Sequence, residues 1–184
     1  MHILALIGSR NPQGQTARAT DALLRGAQHA GATTESIYLT HGDYERCRQC
    51  DDQGWGDCRQ KGTCISDDAF NETTEKIAKS DTVVFSTPVY WGDLSESMRA
   101  FTDRLRRICI HENGKAKMKE KKAIAISVAG GGGGGAPHCS LTFDSVLRTI
   151  GFDLVDVVPA RRQNLDVKVE LLELEGKRLA EGKL

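Results

Sequence analysis

Five short apolar runs, each followed by a stretch of helical periodicity, constrain this chain more than any other feature. His2 to Ile7 reads as a first strand and Thr16 to Ala30 as a helix. A second strand ends over Ser36 to Leu39. After a long loop, a helix runs to about Ser80, with Asp67 and Asp68 placed to favour its N-terminus. Thr82 to Ser86 is a β-branched third strand, and Leu94, Met98, Phe101, Leu105 and Ile108 recur at helical spacing after it. Ala123 to Val128 gives a fourth strand, Thr142 to Ile150 a helix, and Leu154 to Val158 a fifth strand. Asp166 is placed to cap a last helix striped by Val169, Leu172 and Leu179. Strands that are apolar throughout need cover on both faces. The pattern therefore predicts an α/β fold, a five-stranded parallel sheet with helices on both faces.

The 184 residues suit one domain, 1–184, carrying a cysteine-rich loop at about 40–66. Twenty-five basic side chains balance twenty-five acidic ones, so no net field recruits nucleic acid or an anionic membrane. No apolar run approaches the roughly 18–20 residues of a membrane span. The apolar start, Met1 to Ile7, is short and lacks the basic residues of a signal peptide. The expectation is a soluble, cytoplasmic protein.

In such sheets ligands bind at the carboxyl ends of the strands, and four unusual segments are expected to crowd that edge. The first, Gly8-Ser9-Arg10-Asn11-Pro12-Gln13-Gly14-Gln15-Thr16, joins a strand to a helix. Its backbone N–H groups, the helix start, the hydroxyls of Ser9 and Thr16 and the charge of Arg10 suit a phosphate. Its spacing is neither that of a P-loop nor that of a dinucleotide fingerprint. A plain polar turn is the alternative. The second, Ser86 to Asp93, sets Tyr90 and Trp91 side by side between Pro88 and Gly92. Rigid apolar surface beside backbone donors suits a flat heteroaromatic ring, and a hydrophobic plug is the alternative. The third is the run Gly130 to Gly135, which lets a ligand approach the backbone or forms a loose loop.

Together the loops resemble the NADPH-dependent FMN reductase branch of the flavodoxin-like superfamily. The stretches that carry the likeness are GSRNPQGQT, DDAFNETTEKIAKSDTVVFSTPVYWGDLSESMRAFTDR, the glycine run and GKRLAEG. The resemblance implies a flavodoxin-like three-layer sandwich binding FMN. Ser9, Arg10, Gln15 and Thr16 would hold the phosphate. Pro88, Val89, Tyr90, Trp91 and Gly92 would line the ribityl chain and ring, and backbone at Gly130, Gly131 and Gly132 would face the pyrimidine edge. It implies an oxidoreductase passing electrons from NAD(P)H to a small acceptor such as a flavin or quinone, assembled as a homodimer or homotetramer. A non-enzymatic electron carrier is the rival. Hydride transfer to flavin needs no protein acid or base, so no catalytic side chain is named.

Of six cysteines, four follow the spacing Cys47-x2-Cys50-x7-Cys58-x5-Cys64. Clustered thiols in a chain without an export signal point to metal or redox chemistry. Four converging thiolates suit a [4Fe–4S] cluster, with zinc or free thiols as alternatives. The segment resembles that of the iron–sulfur flavoproteins, but the gap between its second and third cysteines is wider. The insert also brings Asp51, Asp52 and Asp57 near the thiols. A cluster would admit a ferredoxin-like donor. Cys109 reads as a packed thiol, Cys139 lies beside the glycine run, and His138 is the one histidine near the predicted site.

Overall fold

The apolar runs become the strands β1 (His2–Ile7), β2 (Thr33–Tyr38), β3 (Thr82–Pro88), β4 (Lys122–Ala129) and β5 (Asp153–Arg161) in a computed structural model that describes residues 1–184. They pair in parallel in the order β2-β1-β3-β4-β5. This is the flavodoxin-like order, with its topological switch point between β1 and β3. The three central strands are buried along nearly their whole length, whereas β2 and β5 alternate with solvent at the edges. Ile7 lies opposite Ser86, which lies opposite Ile126, so the carboxyl ends of β1, β3 and β4 are level.

The helices are α1 (Gln15–His29), the single turn α2 (Asp57–Gln60), α3 (Phe70–Lys79), α4 (Glu96–Cys109), α5 (Glu112–Met118), α6 (Ala136–Ile150) and α7 (Leu165–Ala180). On one face of the sheet α1 and α7 cover Ile3, Ala5, Ile7, Val84, Ile124 and Ile126. On the other, α3, α4 and α6 cover Leu4, Leu6, Val83, Phe85 and Ala125. Helices α1 and α7 meet backbone to backbone. A Cβ at Gly26 would lie 1.9 Å from the Glu173 carbonyl, and one at Gly176 would lie 1.9 Å from that of Leu23. No helix is long and apolar enough to cross a membrane.

Three local expectations are corrected. Helix α5 was not foreseen, because ENGKAKM shows no apolar stripe; it is held by buried Met118 and by Gly114 packed on the Ile108 carbonyl. Helix α6 begins at Ala136 rather than Thr142, since its first turns bury the small residues Ala136, Cys139 and Ser140. Helix α3 begins at Phe70 as expected beside Asp68, whose Oδ1 accepts from the Phe70 N–H at 3.2 Å while the same carboxylate also holds Arg104 and the Glu45 N–H. Asp166 does not cap α7; Asn164 stands at that position, and Asp166 accepts a 2.6 Å bond from Arg18.

Glu175 of α7 is mostly buried beside Asp156 of β5. Burial first, then the Asp156 carboxylate, push its pKa up to about 8. A carboxyl raised in the fold binds its proton more tightly there than in the unfolded chain. The stability this provides is full below about pH 4.5 and is lost as pH rises through about 8. Glu175→Gln should therefore stabilise the protein at pH 8, by on the order of 3 kcal/mol in urea unfolding, with the gain vanishing toward pH 5.

Candidate functional site

The turn after β1 is built to leave amide hydrogens unpaired. Carbonyls of Ser9 and Arg10 are engaged from outside by Thr40 Oγ1 at 3.1 Å and His41 Nε2 at 3.0 Å. Asn11 folds the next segment with its side chain accepting from the Gln13 N–H at 3.0 Å and its carbonyl from the Gly14 N–H at 3.1 Å. Gly14 then enters α1 in an extended conformation with no side-chain cap. The N–H groups of Ser9, Arg10, Gln15, Thr16 and Ala17 have no acceptor in the chain. Ser9 and Thr16 are buried, Arg10 is exposed, and Gln15 carries a buried Oε1 without a partner. An uncapped helix start with several free donors is an anion site in both geometry and charge.

Beside it stands a two-residue turn after β3. Tyr90 and Asp93 exchange both backbone hydrogen bonds at 2.9 Å, and the residues between, Trp91 and Gly92, both have left-handed φ, 55° and 79°. Gly92 suits that conformation at no cost; Trp91 takes it with its side chain wholly in solvent. The turn is anchored by the Val89 N–H on the Val128 carbonyl and by the Asp93 carboxylate, which takes two 2.6 Å contacts from Arg99. Burial raises the Asp93 pKa, but the Arg99 bond and the Leu94 N–H outweigh it and hold the carboxyl below its usual range.

The glycine run is neither loose nor a uniform cradle. Gly135, with φ 81°, lies so near Gly92 that a Cβ there would come within 2.7 Å of the Gly92 Cα. Gly133 packs on Arg161 and Gln163, while around Gly130, Gly131 and Gly132 a Cβ would meet nothing within 4 Å. The structure thus brings the three predicted loops to one edge, with Gly130 to Gly132 open to it and Pro88 and Val89 half-buried beneath. Between the first two loops is a hollow of about 340 Å3 lined by Gly8, Arg10, Thr40, Tyr90, Ser95, Glu96 and Ser97. Thr40, Ser95 and Ser97 were missed in the sequence, although Ser95 three residues before Met98 has the spacing of a helix N-cap. His138 packs against Gly92, and Cys139 is buried below, away from the hollow.

The cysteine loop lies elsewhere. Cys47, Cys50, Cys58 and Cys64 line one narrow pocket together with Arg48, Arg104, Arg107 and Ile108. The three residues from α4 stand in its last two turns, whereas Ser97 is in its first. At 1.5 Å per residue the pocket sits roughly 10–16 Å down the helix from the hollow. The expectation that all four segments share one edge is therefore wrong for this one. Arg104, Arg107 and Asn113 draw the loop back along α4, Arg107 through the Gly54 carbonyl and Asn113 through that of Gln60. Asp51 turns inward on the Gln53 and Trp55 N–H groups, and Asp57 pairs with Lys61 at 2.9 Å.

The thiols are inequivalent. Burial, then the nearby thiolates of Cys64, Cys47 and Cys58, push Cys50 up. Burial also acts on Cys64, but the Ser66 N–H and the Arg104 guanidinium outweigh it and bring its pKa down. Burial drives Cys109 to about 12, consistent with a packed thiol. No three of the pocket's ligating groups come close enough to share a single metal ion.

The backbone contact beneath the hollow gives a direct check. A Cβ at Gly8 would lie 2.5 Å from Ser95 Oγ and 3.0 Å from Met98 Cβ, whereas one at Gly130 meets nothing. Gly8→Ala should cost about 1–3 kcal/mol in urea unfolding and Gly130→Ala less than about 0.5 kcal/mol.

Comparison with known proteins places these features. The family model described as NADPH-dependent FMN reductase matches residues 1–152. An iron–sulfur flavoprotein of Archaeoglobus fulgidus is 27% identical over 105 residues, 57% of this chain and 46% of that protein. An iron–sulfur flavoprotein of Methanosarcina thermophila is 27% identical over 104 residues, 56% of this chain and 52% of that protein. The chain thus spans about half the length of the curated relatives it matches. Among solved structures, an NAD(P)H:quinone oxidoreductase from Methanothermobacter marburgensis superposes with a TM-score of 0.72 at 17% identity, over 97% of this chain and 96% of that one. RosB, with a bound riboflavin-phosphate intermediate, gives a TM-score of 0.74 at 19% identity, over 99% of this chain and 79% of that one. These likenesses establish the flavodoxin-like fold, and the family model establishes the kinship: the chain belongs to the NADPH-dependent FMN reductase family.

Proposed function

We propose that this chain is an FMN-dependent oxidoreductase that takes electrons from NAD(P)H, or from a ferredoxin-like donor, and passes them to a small acceptor such as a quinone or flavin. The observation that carries the reading is the set of unpaired N–H groups at the uncapped start of α1, opening beside a hollow rimmed by Tyr90. A dianionic phosphate matches those donors, and Arg10 adds a cation at the mouth. When bound, FMN supplies the capacity to accept a hydride and to release electrons singly or in pairs.

The remaining work belongs to the protein. Tyr90 offers an aromatic surface at the mouth of the hollow, and Ser97, whose proton goes to the Gly8 carbonyl at 3.2 Å, offers a hydroxyl oxygen as acceptor. The open backbone of Gly130 to Gly132 admits a ring edge close to its amides, where N–H donors stabilise developing negative charge. Trp91 and Leu141 present exposed apolar surface near the site, which supports a homodimer or homotetramer that covers them.

The cysteine pocket belongs to the same reading. Its donor set is four thiols flanked by three arginines. Four thiols gathered in one pocket with guanidinium groups to balance thiolate charge support a [4Fe–4S] cluster, with Cys47, Cys50, Cys58 and Cys64 as its ligands. The names of the matched relatives agree with this.

Anaerobic mixing of FMN-loaded protein with NADPH or NADH tests the activity. The expected result is bleaching of the flavin absorbance and turnover when menadione is added. Tyr90→Ala should weaken FMN binding about tenfold, the loss of roughly 1.4 kcal/mol of aromatic contact. A flavin that stays oxidised with both nucleotides and with a reduced ferredoxin would overturn the reading. Reduction by ferredoxin without turnover of a small acceptor would identify an electron carrier instead.

A further inference from the structure

The thiol pocket holds a buried cation whose hydrogen-bonding capacity is incompletely used by oxygen acceptors. The side chains of Arg104 and Asp68 are 2% and 0% exposed. Arg104 Nη1 donates to Asp68 Oδ2 at 2.5 Å and to the Glu45 carbonyl at 2.9 Å, while Nη2 donates to Asp68 Oδ1 at 2.9 Å. The guanidinium lies 4.1 Å over the Phe70 ring. Its Nε–H is buried and has no hydrogen-bond partner. The same group lines the pocket together with Cys64. Cys64 is also clamped through its backbone, its N–H on Asn71 Oδ1 at 2.9 Å and its carbonyl on Asn71 Nδ2 at 2.7 Å.

The other arginines of the pocket are committed differently. Arg48 is half exposed and bound to Glu45, and Arg107 donates to the Gly54 carbonyl and stacks on Trp55 at 4.7 Å. A buried ion pair by itself rarely improves on an apolar pair of the same shape. What this one adds is a fixed positive charge in the wall of the thiol pocket.

We propose that Arg104 is a positioning residue of the cysteine pocket: locked by Asp68, it holds a buried positive charge and an unpartnered N–H in the wall it shares with Cys64, and so raises the reduction potential of a cluster bound there. The proposal rests on the iron–sulfur reading above. Reduction by one electron adds negative charge to a thiolate-bound centre. A guanidinium buried in the wall of the pocket stabilises the reduced form over the oxidised one.

The test is anaerobic reconstitution with ferrous iron and sulfide, followed by a dithionite titration read by visible absorbance and electron paramagnetic resonance. Wild type is compared with Arg104→Lys and with the double variant Arg104→Met/Asp68→Asn. The double variant avoids stranding a buried carboxylate, and Arg104→Lys keeps the charge while losing the Nε–H. Near-ultraviolet circular dichroism identifies which variants fold. All folded forms should take up a cluster, with midpoint potentials more negative than wild type and the double variant shifted furthest. A midpoint equal to wild type in a folded variant overturns the role of Arg104 and leaves the cluster reading standing. Failure of the wild type to take up a cluster overturns both.

Discussion

The site depends on the close contact between the Gly8 backbone and the start of α4. Gly8 donates its N–H to the Ser86 carbonyl at 2.8 Å, and its own carbonyl accepts from Ser95 Oγ at 2.9 Å. Ser95 also donates its N–H to Thr87 Oγ1 at 3.0 Å and caps α4 at Met98. These bonds knit the ends of β1 and β3 to one helix in a region without water-exposed slack, since Ser86, Thr87 and Ser95 are all buried. Only glycine allows the approach, so a single missing Cβ fixes the position of the anion-binding turn relative to the Tyr90 turn. The contact of Gly135 with Gly92 repeats the device on the other side.

Helix α4 then relates the two chemical centres. Its first turn contributes Glu96 and Ser97 to the hollow, and its last turns contribute Arg104, Arg107 and Ile108 to the thiol pocket. A helix C-terminus carries partial negative charge and disfavours thiolates. The three arginines Arg104, Arg106 and Arg107 reverse that sign locally, and Arg104 does so from within the protein, where screening is weakest. The turn after β1 and the thiol pocket thus carry their positive potential by different means, free amides in the first case and guanidinium groups in the second.

Most of the fold was legible because a strand covered on both faces must be apolar along its length, which β1, β3 and β4 are. The turn after β1 and the Tyr90–Trp91 turn were legible as candidate binding loops because their residues are local in sequence. What escaped was non-local or unpatterned. The Arg104–Asp68 pair joins residues 36 positions apart, so only the local half of Asp68's work, at the start of α3, could be read. Helix α5 has no stripe to read. The place of the cysteine loop was misjudged because it follows β2 in sequence, yet Arg104, Arg107 and Asn113 carry it back along α4. Thr40 and Ser95 enter the hollow from loops with no motif of their own.

The central claim is that the turn after β1 holds a flavin by its phosphate. The most direct measurement is the affinity of the protein for FMN against riboflavin, by quenching of flavin fluorescence at low and high salt. Several charge-assisted bonds to a dianion should make FMN bind about a hundredfold tighter or more, with the advantage shrinking as salt rises. Equal affinity for the two flavins would contradict it and leave the unpaired amides of Ser9 to Ala17 without a role.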